Sequence, residues 1–513
     1  MAIHQILNPD FLAKAEACKP PLIHTRVDAR SIGKIYRYKG DWKYKKQEEI
    51  GALASKVLKK GDSVCLDFGD HCVGYVSFTV TPHGYHPDAP THLRLKFGEH
   101  PCEIGEKSEF YRGGLSSGWI QEEFLHIDVL PCEIKLPRRY AFRYLEILVK
   151  DTSPNFQISV ENVSCDSVSS ADITKTPPYL TDDAELAAID RISLKTLQDC
   201  MQDVFEDGPK RDRRLWIGDL RLQALVNYET VKNYDLVRRC LYLFAGAVQE
   251  NGCVGSCLYT TPKIEVDFIA FLDYSLFFIS CLHDYYEATG DRKIVAELWE
   301  TAFHQLELVS GFLSEKDIFE ETPGRDFFLD WKDGLDKQAG GQAVVIYTAK
   351  QSLVLAELLG DTARIAWIKA LLDRLVKGAK EHLWDSEQGF FVSGKDRQVS
   401  WISQVWFVLA DIFTKEENRA LMQHLIETDP PMGMATPYAY HHFIDALIRC
   451  DMKDEALLYI RYYWGSMAKA GADCFFEIWN PKNPTFSPYG SRIINSFCHA
   501  WSGTASYFLR KYF

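Results

Sequence analysis

Between about residue 30 and residue 165, apolar positions come in short, often alternating runs. The stretches "DSVCLDFGDHCVGYVSFTV" (62–80), "THLRLKFGEH" (91–100), "GWIQEEFLHIDVL" (118–130), "RRYAFRYLEILVK" (138–150) and "NFQISVENVSC" (155–165) predict strands. Gly, Pro, Asp and His punctuate them, as in a sandwich or jelly roll. "DSVSSADITKTPPYLTDD" (166–183) has no period and reads as a linker. From about 183 the period becomes helical: "DAELAAIDRISLKTLQDCMQDVF" sets Leu186, Ile189, Ile192, Leu197 and Met201 near i, i+3/4 spacing. Similar periods recur near 219–232, 233–248, 269–289, 293–314, 341–359, 361–384, 399–412, 415–427, 437–450, 452–470 and 495–511, about twelve helices in all. Several, such as "FIAFLDYSLFFISCL", are apolar on more than one side and need cover on both, as in the inner ring of a double-layered barrel. No fixed-period repeat argues for an open solenoid. The expected architecture is therefore multidomain: an all-β, jelly-roll-like sandwich (1–165), a linker (166–182) and an all-α (α/α)6 toroid (183–513).

Composition narrows the function classes. A chain of 513 residues is too long for one ordinary core. Its net charge of −13 speaks against nucleic acid, which needs a basic face. No apolar run approaches the roughly 20 residues of a membrane helix, and no secretory leader is visible at the N-terminus. The 14 cysteines are scattered, and Cys253 and Cys257 lack the second pair of a zinc site. Reduced thiols in the cytoplasm are expected. Aromatics reach 13%, and flat rings are what sugar faces pack against.

The candidate chemistry lies in the helical part. "EDGPKRDRRLWIGD" (206–219) packs four carboxylates, four cations and one Trp between two predicted helices. Gly208 and Pro209 would stop the first helix, and Asp219 would sit where the second begins. Other acids stand beside tryptophans: Asp330 and Trp331 in "FFLDWKDG", Asp473, Glu477 and Trp479 in "GADCFFEIWNP", with His499 and Trp501 in "NSFCHAWSG". Sugar sites need ring contacts and fixed hydroxyl partners, and glycosidic cleavage needs two carboxyl groups in different roles. The tandem imidazoles His441 and His442 in "YHHFID" have no third ligand nearby and read as structural. No phosphate loop on a βα unit suggests nucleotide use.

"DGPKRDRRLWIGD" resembles the signature loop of the bacterial α-L-rhamnosidases, glycoside hydrolase family 78. "LDFGDHCVGYVSF", "FRYLEI", "FLDW", "FFEIWNP" and "FCHAWS" extend the similarity from roughly residue 60 to the end. The resemblance implies an inverting hydrolase in which Asp212 is the general acid and Glu477 the general base. It places Asp207, Arg211, Trp216 and Asp219 against the sugar, with Asp330, Trp331, Trp479 and His499 completing the pocket. Many members carry Glu where this chain has Asp212, in a loop one residue longer. The chain also resembles a short form without the C-terminal β-domain of larger members.

The charges raise one expectation of their own. Cations beside Asp212 favour its carboxylate, the wrong form for an acid, so an arginine of the loop is expected to be held by Asp207 or Asp219 instead. Glu477, flanked by Phe475, Phe476 and Ile478, is expected to need a donor such as His499. The reading is a cytoplasmic enzyme releasing terminal α-L-rhamnose from small rhamnosides, disaccharides or plant glycosides, with no cofactor and no metal. Alternatives are another inverting (α/α)6 glycosidase or phosphorylase for a different sugar, or a decayed sugar-binding protein. A homodimer joined by aromatics on the sandwich is compatible with the sequence.

Overall fold

The computed structural model describes residues 4–320 and 326–513. Its N-terminal part is a β-sheet region built on one antiparallel nine-stranded sheet. The main path runs Ile23–Asp28, Phe156–Ser169, Ser63–Gly84, Tyr140–Asp151, Thr91–Gly98, Glu122–Ile127. The hairpin Ser31–Tyr38/Asp41–Glu49 and the strand Cys132–Lys135 attach at the sides. Ser63–Gly84 is the spine: its first part pairs with Tyr140–Asp151, with a register shift between Asp67 and Cys72, and Cys132–Lys135 and Phe156–Ser169 flank its second part. Alternation puts Val64, Leu66, Phe68, Phe78 and Val80 into a core with Leu93, Leu95, Phe97, Phe142, Leu145 and Ile147. The expected strands are all present, somewhat longer or shorter than their apolar runs.

The start of the chain lies elsewhere. Gln5–Leu7 pairs with Ala247–Gln249, and helix α1 (Pro9–Ala17), capped by Asn8, packs on helix α5 (Tyr234–Gly246) of the C-terminal part. A short α2 (Pro101–Gly105) follows within the β region.

The C-terminal part is helical: α3 (Ala184–Cys200), α4 (Ile217–Glu229), then α5, α6 (Leu272–Thr289), α7 (Arg292–Ser310), α8 (Gln338–Leu359), α9 (Thr362–Gly378), α10 (Trp401–Ala410), α11 (Lys415–Thr428), α12 (Pro437–Arg449), α13 (Lys453–Ile460), α14 (Ser466–Lys469) and α15 (Ala505–Tyr512). Contacts run α4–α6–α8–α10–α12 and return to α4 through the single-turn segment Ala500–Thr504 and α15. Helices of this cycle are buried nearly all round; every residue of α10, "WISQVWFVLA", is buried. Each such Leu, Ile or Phe contributes roughly 1.5–3 kcal/mol. Of the alternate helices, α9 buries only Ile368, Leu371, Leu375 and Gly378, and α11 only Asn418, Leu421, Met422 and Leu425.

Two sequence expectations shift. The helix before the charged loop ends at Cys200, not at Gly208–Pro209. The end of strand Phe156–Ser169 draws off its last carbonyls: Ser170 N donates to Met201 O (2.8 Å) and Ser169 Oγ to Gln198 O (2.6 Å). The last helix begins at Ala505 and not at 495, because residues 495–500 bond across the site: His499 N donates to Phe475 O (3.0 Å) and Ala500 N to Asp207 O (2.7 Å).

Candidate active site

The loop 206–216 is folded around Asp207. One carboxylate oxygen accepts from Asp212 N (3.0 Å) and the other from Arg214 N (3.0 Å), while Asp207 N donates to Arg214 O (3.0 Å). A side chain at Gly208 would collide with the Arg211 carbonyl, so the chain closes this tightly only with glycine there. Burial, and then the Asp212 charge, pushes the Asp207 carboxyl up to about 8 against those backbone donors.

Among the described residues no guanidinium of the loop pairs with Asp207 or Asp219, contrary to expectation. Arg211 lies over the Tyr489 ring (4.6 Å) and pairs with Glu477 through Nη2, while its Nη1 stands 3.7 Å from Asp212. Arg214 Nη1 is 3.9 Å from Asp212 and 3.8 Å from Asp267. Among the described residues the Arg213 side chain donates only to the carbonyls of Lys210 (3.2 Å) and Arg139 (2.9 Å). Asp212 therefore has cations near it but no bidentate partner. Burial raises its pKa; Arg211 and Arg214 oppose this, and Glu477 and Asp267 reinforce it.

Glu477 is fully enclosed and held by three donors: Arg211, the Tyr489 hydroxyl (2.8 Å to Oε1) and Ser496 N (3.2 Å to Oε2). The expected donor His499 stands off at 3.9 Å. Its ring is packed on Trp501 (4.4 Å), and burial, then Arg211, holds its pKa well below the usual imidazole value. Its Nδ1 is 3.5 Å from Asp219 Oδ1. Asp219 sits in the first turn of α4 and does not cap it. Burial, then the charges of Asp207 and Glu477, raises its pKa far above the ordinary range. Among the described residues Asp219 Oδ1, His499 Nδ1 and Trp216 Nε1 are buried without a hydrogen-bond partner. Such orphans require an explanation, and hydroxyls of a polyol would satisfy them.

The other predicted residues fall into two groups. Asp330 has its carboxylate fully occupied by Ala435 N (2.7 Å), Thr436 N (3.1 Å), Thr436 Oγ1 (2.6 Å) and Trp331 N (2.9 Å), fixing the start of α12. Burial outweighs these donors and lifts it to about 6. Trp331 packs edge-on to Tyr489 and Trp501 and, with Trp479, lines an aromatic cavity of about 830 Å³. Trp479 donates to Ser466 Oγ (2.8 Å).

Sequence reasoning missed Tyr489, Asp267 and the brace from the β region. Arg139 pairs with Glu206 (2.6 Å), and Lys210 with Glu103 (2.9 Å) and Glu99 (3.3 Å). Glu99 also accepts from Phe497 N (2.7 Å). One group among the described residues could hold a metal ion: His71, Asp199, Cys474 and Cys498, with ligand atoms within 4.8 Å of one another. Its donors are already engaged, His71 bridging Asp199 (2.6 Å) and Glu99 (3.1 Å) and Lys195 holding Asp199 (2.7 Å), which suits an ion-pair network. His441 and His442 are buried and held uncharged, His442 between Arg221 (3.1 Å) and the Tyr438 carbonyl (2.8 Å).

Residues 35–167 match the glycosyl hydrolase family 78 alpha-rhamnosidase N-terminal domain, and residues 176–513 match the bacterial alpha-L-rhamnosidase 6 hairpin glycosidase domain. The structure of a rhamnosidase from Klebsiella oxytoca with rhamnose bound is similar at 43% identity and a TM-score of 0.97, over 99% of this chain and 100% of that one. A family 78 rhamnosidase of Bacillus sp. GL1 (20% identity, TM-score 0.75, 92% of this chain and 49% of that one) shares the fold. So does a Streptomyces avermitilis α-L-rhamnosidase complexed with L-rhamnose (18%, 0.66, 96% and 44%). No curated protein matches the chain in sequence. Fold and relatives alike are those of a glycoside hydrolase. The chain belongs to family 78, the bacterial α-L-rhamnosidases.

Proposed function

We propose that this α-L-rhamnosidase releases terminal α-L-rhamnose from small rhamnosides, disaccharides or plant glycosides, by single displacement with inversion. Asp212 gives its proton to the glycosidic oxygen as the C1–O bond breaks. Glu477 takes a proton from the water that attacks C1 on the opposite face, so β-L-rhamnose and the free alcohol leave. The observation that carries this is the contrast between two carboxyl groups at one guanidinium: burial pushes Asp212 toward its protonated form, while Glu477 accepts from Arg211, the Tyr489 hydroxyl and Ser496 N. An inverting pair stands roughly 6.5–9.5 Å apart to admit water, and contact of both groups with Arg211 is compatible with that spacing.

Trp216, Asp219 and His499 would take the sugar's hydroxyls, and Trp331 and Trp479 would offer rings. In this reading Asp207 and Asp330 act by holding loop 206–216 and the start of α12. The closed cycle of helix contacts supports an (α/α)6 toroid beneath the site, and the long spine strand supports a sandwich beside it. All 14 cysteines are free, which supports a reducing, cytoplasmic setting. No described helix is long and apolar enough to cross a membrane. Exposed Tyr38, Tyr85, Phe110 and Phe124 on the β region support a homodimer contact there.

Proton NMR of the enzyme with an aryl α-L-rhamnoside, read from the first minutes, tests the mechanism. β-L-Rhamnose is expected first; α-L-rhamnose first would overturn inversion.

A further inference from the structure

A general acid faces the oxygen it protonates, so the cavity lined by Asp212 is where the leaving group must sit. That cavity, about 470 Å³, lies between the β region and the catalytic loop, walled by Asp212, Arg213, Arg214, Arg139, Trp119 and Tyr259. Two of its three arginines have acidic partners. Arg139 Nη2 meets both Glu206 oxygens (2.9 and 2.6 Å), and Arg214 lies between Asp212 and Asp267. Arg213 pairs with no carboxylate among the described residues. Two carbonyls fix its Nε and Nη2, and they orient the guanidinium without neutralising it; Nη1 has no acceptor there. Burial, then Arg139 and Arg138, pushes it down to about 10 against the more distant charges of Glu206 and Glu99, as expected for a cation with no carboxylate in contact. In a chain of net charge −13, a fixed cation with no carboxylate in contact, one residue from the acid, is a local exception.

We propose that this cavity is an aglycone subsite for an anionic leaving group, in which Arg213 binds the carboxylate of a uronic acid carrying the rhamnose. A planar guanidinium matches a carboxylate in shape as well as charge. Trp119 and Tyr259 supply rings for the uronic acid's apolar face. The bound carboxylate also works with the chemistry, since a negative charge beside Asp212 favours its protonated form. The proposal rests on the reading of Asp212 as the acid.

The test compares three substrates: a disaccharide of α-L-rhamnose on glucuronic acid, its methyl ester, and a neutral aryl α-L-rhamnoside. Hydrogen bonds to charged groups predict a kcat/KM for the acid about 10- to 100-fold above the ester. That ratio is expected to shrink as salt rises. In Arg213→Gln the ratio should fall toward one, and Arg213→Lys should keep part of it. Equal rates on acid and ester by an enzyme that cleaves the aryl rhamnoside would overturn the anionic subsite and leave the rhamnosidase reading standing. A preference that survives in Arg213→Gln would overturn the assignment to Arg213. Release from none of the three would overturn the underlying reading. If the variants do not fold, the wild-type ratio and its salt dependence still decide whether the subsite takes an anion.

Discussion

In the proposed mechanism Asp212 and Glu477 divide one reaction between them because their surroundings differ, and each difference predicts a measurement. Asp212→Asn removes the proton donor, so kcat on a sugar aglycone should fall about 10²- to 10⁴-fold. The loss should be much smaller on 4-nitrophenyl α-L-rhamnoside, whose leaving group needs no proton; equal losses on both would deny Asp212 its role. Arg214 lies 3.9 Å from Asp212 and opposes its raised pKa. The acid is active while protonated, so activity is lost as pH rises through its pKa. Arg214→Gln removes a cation that favours the carboxylate, so the alkaline limb of kcat/KM should move to higher pH; a move to lower pH would contradict this. Asp207, Asp212, Glu477 and His499 were legible because they lie in motifs of unusual charge and aromatic content. Tyr489 was not: it is one tyrosine in "SPYGS", and only folding brings its hydroxyl to Glu477. The expectation that an arginine of the loop is held by Asp207 or Asp219 failed for the same reason, since Arg211 pairs with Glu477, 266 residues away.

At the scale of elements, the loop 206–216 depends on Asp207 more than on its own backbone. Asn can accept only one of the two N–H groups that the carboxylate takes, so Asp207→Asn should cost about 1–3 kcal/mol in thermal or urea melts. It should also change the pH dependence. The Asp207 carboxyl stands at about 8 in the fold, above its ordinary value, so between the two the folded state holds a proton that the unfolded chain lacks. Stability therefore falls as pH rises through that window, and the Asn variant should lose that part of the slope. Helices were the most legible elements, because burial all round or along one stripe leaves a direct trace in the apolar pattern, as α10 and α11 show. The pattern failed at 495–499, where buried aromatic and small residues look helical. There the backbone is taken by Phe475 and Asp207, and tertiary hydrogen bonds override the local period. α1 was missed because it is short and opens on Asn-Pro, which reads as a turn until α5 offers it a surface.

At the scale of the whole molecule, the β region acts as a brace on the catalytic loops. Lys210, in the loop, reaches Glu103 and Glu99 of the β region and the Asn495 carbonyl, and all three of these charged groups are buried. Arg139 grips Glu206, Arg143 ties Asp67 to Asp473, and Arg492 pairs with Asp41. None of this could be read from the chain, since like and unlike charges in sequence say nothing of which will meet. Removing one partner of a buried pair leaves the other uncompensated, which costs about 3–5 kcal/mol. Lys210→Met should therefore lower the urea midpoint sharply. Activity should drop with it even where the protein is still folded, because the loop carrying Asp212 loses its anchor. The exposed pair Lys60–Asp151, at 3.1 Å on the same β region, is the control. Lys60→Met should leave midpoint and activity unmoved, since exposed pairs contribute little. If both variants behaved alike, the β region would be a passive neighbour of the site. If only Lys210→Met falls, the sheet is part of the apparatus that holds the acid in place.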